Sequence, residues 1–292
     1  MGERAHWSVW SELLGVPFEQ DYVQAGPIRT RYLRTGPRDG PAVIFLHGFM
    51  SHADVFVRNL AAHGERYRTY AIDLVGMGFS DKPDVPYHAP MVARQVADFM
   101  DAVGLTSAAV LGTSFGSRVA ARFAVDHPDR LDALTLVSPA GLRFDPVRSA
   151  RILKNHIADH DESTWEGARA AVGLIVAPDA VEDDLVAVRR AVYSQPGIAA
   201  AAPNLAVQHE EATAHLSLCT ADEYRSIDAP TLLVKGVQDD RTDLGLAREL
   251  TSLIPGARLE LIEHSIHAPY FERPEIFNRI HLAFLDEHLG KS

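Results

Sequence analysis

Short apolar runs alternate along this chain with longer segments of helical period, and few folds accept that rhythm. "AVIFLHG" (42–48) is continuously apolar and reads as a buried strand. "YRTYAIDL" (67–74), "SAAVLG" (107–112), "LDALTLVS" (131–138) and the Pro-started "PTLLVKG" (230–236) read as further strands. Between them, residues 89–104 set Val92, Val96, Phe99, Met100 and Val103 on one helical side and end at Gly104. Residues 115–128 make a second helix, closed by Pro128. Strands separated by helices predict an α/β architecture with a mostly parallel central sheet.

One strand-to-helix junction carries a motif. "VLGTSFGSRVA" (110–120) holds Ser114 between Gly112 and Gly116 in G-x-S-x-G spacing. The bare pattern is common, and serine is also a favoured helix N-cap. Its position is more telling. The junction lies at the carboxyl end of a strand, where open α/β sheets bind ligands. A sharp turn there needs small neighbours, and the helix beyond it offers free N–H groups to an anion. Ser114 is therefore the candidate nucleophile.

A serine hydroxyl needs a base to take its proton and a third group to orient that base. In this context the acid and then the histidine come later in the chain. "GVQDD" (236–240) follows the strand at 230–236, while "LTLVSPAG" before it offers no carboxylate at its tip. Asp239, three residues after Gly236, is the expected acid, with Asp240 as the alternative. "ARLELIEHSIHAPYFERPEIF" (257–277) reads as an alternating strand, a loop, and a helix opened near Pro274. His267 in the loop is the expected base in preference to His264 at the strand's end. His281 and His288 fall on the last helix, where a solvated face is expected, and the other ten histidines are expected at the surface. The oxyanion donors are expected to be the backbone N–H groups of Phe115 and Phe49, with Gly48 turning the chain after His47.

Composition narrows the classes. A chain of 292 residues with 47% hydrophobic and 23% charged residues is ordinary for a globular protein. The formal charge of −11, spread along the chain, argues against nucleic acid as a partner. No stretch approaches the ~20 apolar residues of a membrane span. The N-terminus lacks the apolar run of a signal peptide, so the cytoplasm is the expected location. Cys219 is the one cysteine, which excludes an internal disulfide and a cysteine metal cluster. No metal or organic cofactor is implied, a small-molecule substrate is, and a homo-oligomer stays open.

Together, "LHGF", "AIDLVGMGFSD", "GTSFGS", "GVQDD" and "SIHAPYFERPE" resemble the α/β-hydrolase fold in order and spacing, over nearly the whole chain. The resemblance implies a hydrolase core at 1–141 and 226–292, with a helical lid at 142–225. Within the fold the chain resembles lid-bearing serine hydrolases: carboxylesterases, and the meta-cleavage-product hydrolases that cut carbon–carbon bonds. Arg189 matches the lid arginine with which the latter hold a substrate carboxylate. Thr113 and Ala268 depart from the Asn and Trp usual there, which puts ester hydrolysis first and carbon–carbon hydrolysis second. A slow receptor or binding module on the same fold is the reading from another class. Phe49, Phe115, Val237, Leu174 and Ile198 are candidate pocket walls.

Overall fold

The computed structural model describes residues 8–155 and 161–290. Eight strands form one sheet: β1 (Phe18–Ala25), β2 (Ile28–Thr35), β3 (Ala42–Leu46), β4 (Arg68–Ile72), β5 (Ala108–Thr113), β6 (Leu131–Val137), β7 (Thr231–Gly236) and β8 (Arg258–Ile262). Their spatial order is β1-β2-β4-β3-β5-β6-β7-β8. The pairs from β4 to β8 are parallel, while β1 and β2 run antiparallel at one edge. The expected α/β sheet is present, and β3 is buried at every position. Sequence pattern does not announce the β1–β2 hairpin, because β1 is an edge strand with Glu19, Gln20 and Asp21 exposed.

The helices are α1 (Val9–Leu13), α2 (Val57–Gly64), α3 (Ala89–Ala102), α4 (Phe115–Asp126), α5 (Pro146–Leu153), α6 (Trp165–Gly173) and α7 (Asp183–Tyr193). They continue with α8 (Ile198–Ala206), α9 (Ala221–Arg225), α10 (Leu244–Leu253), α11 (Pro269–Glu272) and α12 (Pro274–Leu289). Alternation along β3 divides the core. Ile44 and Leu46 belong to the core layer that includes α3, α4 and α10, while Val43 and Phe45 belong to the layer that includes α2 and α12. Burial on both faces explains why the central strands read as unbroken apolar runs.

Helices α5–α9 occupy the long connection from β6 to β7. Their starts follow local chemistry: Asp145 accepts from Arg148 N, Thr164 from Gly167 N, and Thr220 with Glu223 forms a capping box. No helix among the described residues is long and apolar enough to cross a membrane.

The histidine expectations need correction. His281 is buried, its Nδ1 2.9 Å from Nε2 of buried His63, where α12 crosses α2. His47, His52 and His209 are buried as well. Each ring is enclosed by elements distant in sequence, which helical position alone does not reveal. His6, His156 and His160 lie outside the described residues.

Candidate active site

Ser114 sits between β5 and α4 with φ 53° and ψ −111°, in a region that non-glycine residues rarely occupy. Such strain costs on the order of 1–3 kcal/mol and persists only where surrounding packing holds it. Both flanking glycines are sterically required. A Cβ on Gly112 would lie 2.0 Å from Gly116 O, and one on Gly116 would lie 2.3 Å from Leu46 O. Ser117 Oγ donates to Ser114 O at 2.5 Å, closing the turn. Ser114 is left half-buried at the first turn of α4, whose leading N–H groups, Phe115 among them, have no carbonyl partner inside the helix.

The loop after β8 brings His267 to the same place. Its Nδ1 lies 3.0 Å from Asp239 Oδ2. Gly236 permits this approach, since a Cβ there would lie 2.1 Å from Ile266 O. Asp239 Oδ1 accepts from Arg241 N and Thr242 N, Thr242 Oγ1 donates to Oδ2, and buried Lys235 Nζ lies 3.5 Å from Oδ2. Burial opposes ionisation of Asp239, but His267, Thr242 and Lys235 outweigh it and hold the carboxyl well below its usual range. Burial lowers the His267 pKa; Asp239 pulls it back up, and Arg241 and Arg148 lower it further. The net direction is down, so the ring is neutral and able to accept a proton near pH 7. Asp240 is exposed, and so is His264, which takes φ 55° in the turn before the loop.

The loop after β3 supplies the facing wall. The left-handed residue of this turn is Met50, with φ 50°, two residues after Gly48. His47 Nε2 accepts from Leu74 N at 3.0 Å, which leaves Nδ1–H to donate to Gly48 O at 2.8 Å. Burial drives this histidine down to about 4, consistent with a neutral structural ring. Beneath the loop, Arg31 bridges Asp54 and Asp73, and Asp73 Oδ1 accepts from Ala53 N at 2.7 Å. A buried ionic knot thus anchors the segment that carries Phe49.

Ser114, His267, Thr113 and Phe49 open onto one pocket of about 40 Å³, room for only a few waters. Residues 41–274 match the alpha/beta hydrolase fold family. The chain belongs to that family. Carboxylesterase YbfK of Bacillus subtilis is 27% identical, over 92% of this chain and 89% of its own. The 2-hydroxy-6-oxo-6-(2'-aminophenyl)hexa-2,4-dienoic acid hydrolase of Metapseudomonas resinovorans is also 27% identical, over 92% and 91%. A solved meta-cleavage product hydrolase from Pseudomonas fluorescens IP01 superposes with TM-score 0.80 at 24% identity, covering 94% of this chain and 99% of that one. That likeness is one of fold.

In this α/β hydrolase Arg189 is not a pocket residue. It is 2% exposed, its Nε lies 2.8 Å from Glu162 Oε2, and its guanidinium stacks on the Tyr193 ring at 5.0 Å. Glu162, rather than Glu182, Asp183 or Asp184, is its partner, because the segment before α6 folds inward against α7. The pocket cations are instead Arg148 and Arg151 on α5 and Arg241 after β7, none of which the sequence analysis singled out. Arg241 lies two residues after the expected acid, a signal that was available; the α5 arginines carry none. Phe115, Leu174, Val237 and Ile198 are not among the wall residues, whereas Ile152, Ile175 and Tyr270 are. Glu272 was also missed. Its buried carboxylate accepts from Ser265 Oγ, Ile266 N and Ala268 N around His267, and from Ala177 N in the helical insertion.

Proposed function

We propose that this α/β hydrolase is a serine hydrolase of small-molecule carboxylic esters, with Ser114 as nucleophile, His267 as base and Asp239 as orienting acid. One observation carries the reading. Half-buried Ser114, held at a strained elbow, opens onto the same pocket as His267, whose other ring nitrogen faces Asp239. Ser114 Oγ attacks the ester carbonyl carbon while its proton passes to His267 Nε2. The carbonyl oxygen takes the negative charge and is met by the N–H groups of Phe49 and Phe115. Collapse breaks the carbon–oxygen bond, and the alkoxide leaves with the proton from His267. Water then repeats the sequence on the acyl-serine, returning the acid and free Ser114.

No hydrogen bond joins Ser114 Oγ to His267 among the described residues, a looseness common before substrate binds. Helices α5–α9 act as the lid in this reading, since α5 supplies pocket wall. Cys219 is free and buried, which fits the reducing cytoplasm. Ser114→Ala should abolish hydrolysis of nitrophenyl esters, and an organophosphonate should label Ser114 and no other serine. Labelling elsewhere would overturn the assignment. The dienoate hydrolase relative supports carbon–carbon cleavage as a second reading. A meta-cleavage dienoate assayed beside the esters separates the two: turnover of the dienoate alone reverses the order.

A further inference from the structure

The pocket beside Ser114 is narrow, and an outer cleft shares its walls. That outer cleft holds about 460 Å³, and Arg148, Arg151 and Arg241 line both spaces. A substrate whose ester reaches Ser114 and extends into that cleft passes between three guanidiniums. Elsewhere in the protein, arginines in and near the core sit against carboxylates: Arg31 with Asp54, Arg122 with Glu223, Arg189 with Glu162. These three form no ion pair among the described residues, and Arg241 bonds only the carbonyl of Leu174, at 2.7 Å. Arg118, buried behind them, adds a fourth positive charge, with a 3.4 Å bond to Gln208 O and no carboxylate partner among the described residues.

The inner pocket is lined by these three arginines and by no carboxylate, whereas the outer cleft also carries Asp145, Asp239, Asp240 and Asp243. Asp239 is committed to His267 and Thr242, while Asp145 and Asp243 accept the leading amides of α5 and α10. Asp240 is exposed on the rim. Three like charges lining one inner pocket repel each other, which a bound anion there would relieve. In a protein of net charge −11 the attraction must be local.

Resting on the ester-hydrolase reading, we infer that the substrate carries a carboxylate remote from the scissile ester, seated between Arg148, Arg151 and Arg241 where the pocket meets the outer cleft. The charge belongs to either the acyl or the alcohol half, and two matched pairs of substrates distinguish them. Nitrophenyl hemiadipate is compared with nitrophenyl hexanoate, and para-carboxyphenyl hexanoate with phenyl hexanoate. In one pair the anionic member should have the higher kcat/KM, by about tenfold or more, the equivalent of one or two partly exposed charge contacts. That ratio should fall towards unity in the Arg148→Gln/Arg151→Gln double variant and in high salt; intrinsic ester reactivity cancels in the comparison with wild type. Adipate should also inhibit the wild-type enzyme more strongly than hexanoate, a measurement that needs no variant. The inference fails if neither pair favours the anion, if the preference survives the double variant, or if adipate and hexanoate inhibit alike. Loss of all ester turnover would instead refute the underlying hydrolase reading.

Discussion

Glu272→Ala should loosen the His267 loop and its tie to the helical insertion in one step. The carboxylate accepts from Ser265 Oγ at 2.7 Å, Ile266 N at 3.0 Å, Ala268 N at 3.2 Å and Ala177 N at 2.6 Å. Ile266 and Ala177 are half-buried, so water can replace Glu272 for those two donors. Ser265 and Ala268 are 0% and 2% exposed, and their donors would be left bare. Two unsatisfied buried donors cost about 1–3 kcal/mol each, so a total loss of roughly 2–6 kcal/mol is expected. Glu272→Gln keeps one carbonyl oxygen, best turned to the three donors at Oε2, and sacrifices the Ala177 bond. It should cost about 1–2 kcal/mol. Denaturant unfolding followed by fluorescence measures both values. Because the backbone on either side of His267 is held by this carboxylate, kcat/KM of the Ala variant should fall about ten- to a hundredfold, with the Gln variant between it and wild type. An Ala variant that loses under about 1 kcal/mol and keeps full activity would refute the argument.

Arg189→Met should break the buried pair with Glu162 and destabilise the fold by about 3–5 kcal/mol, while lowering kcat/KM for anionic and neutral esters by the same factor; selective loss on the anionic ester would return Arg189 to the binding site. Asp239→Asn should cut ester turnover by on the order of 10⁴, the effect of mis-set histidine tautomer in triad enzymes, with an unchanged circular dichroism spectrum. Because burial and the arginines depress His267, the acid limb of kcat/KM should lie below pH ~6.5; a limb above that value would contradict the electrostatics described. Burial also holds His47 and His63 at about 4 and His281 well below its usual value, so the unfolded chain binds more protons than the folded one as pH falls. Stability present above pH ~6.5 should be lost progressively towards pH ~4, by about 3 kcal/mol for each of His47 and His63, and a denaturation midpoint flat over that range would refute it.

What could be read from the sequence was whatever short-range geometry dictates. The strand–helix rhythm reports burial on both faces of a sheet, and it located β3 to β8, α3 and α4 within a residue or two. Gly112, Ser114 and Gly116 are legible because a tight elbow excludes any Cβ at the flanking positions, a constraint imposed within a few residues. Asp239 and His267 follow from chain order, since each lies just past the end of a parallel strand, and parallel strands end on one side of the sheet. The tertiary structure decided the rest. Which arginines face the pocket depends on how α5–α9 pack over the core, and Arg189 and Arg148 look equally plausible on helices of uncertain rotation. His63 and His281 are polar in sequence and buried in space because α2 and α12 cross at just those residues. Glu272 reads as a surface acid until the loop folds back and aims four donors at it. Side-chain direction along one strand or turn is set by local backbone geometry; the partner a side chain meets is set by long-range packing, which no window of sequence contains.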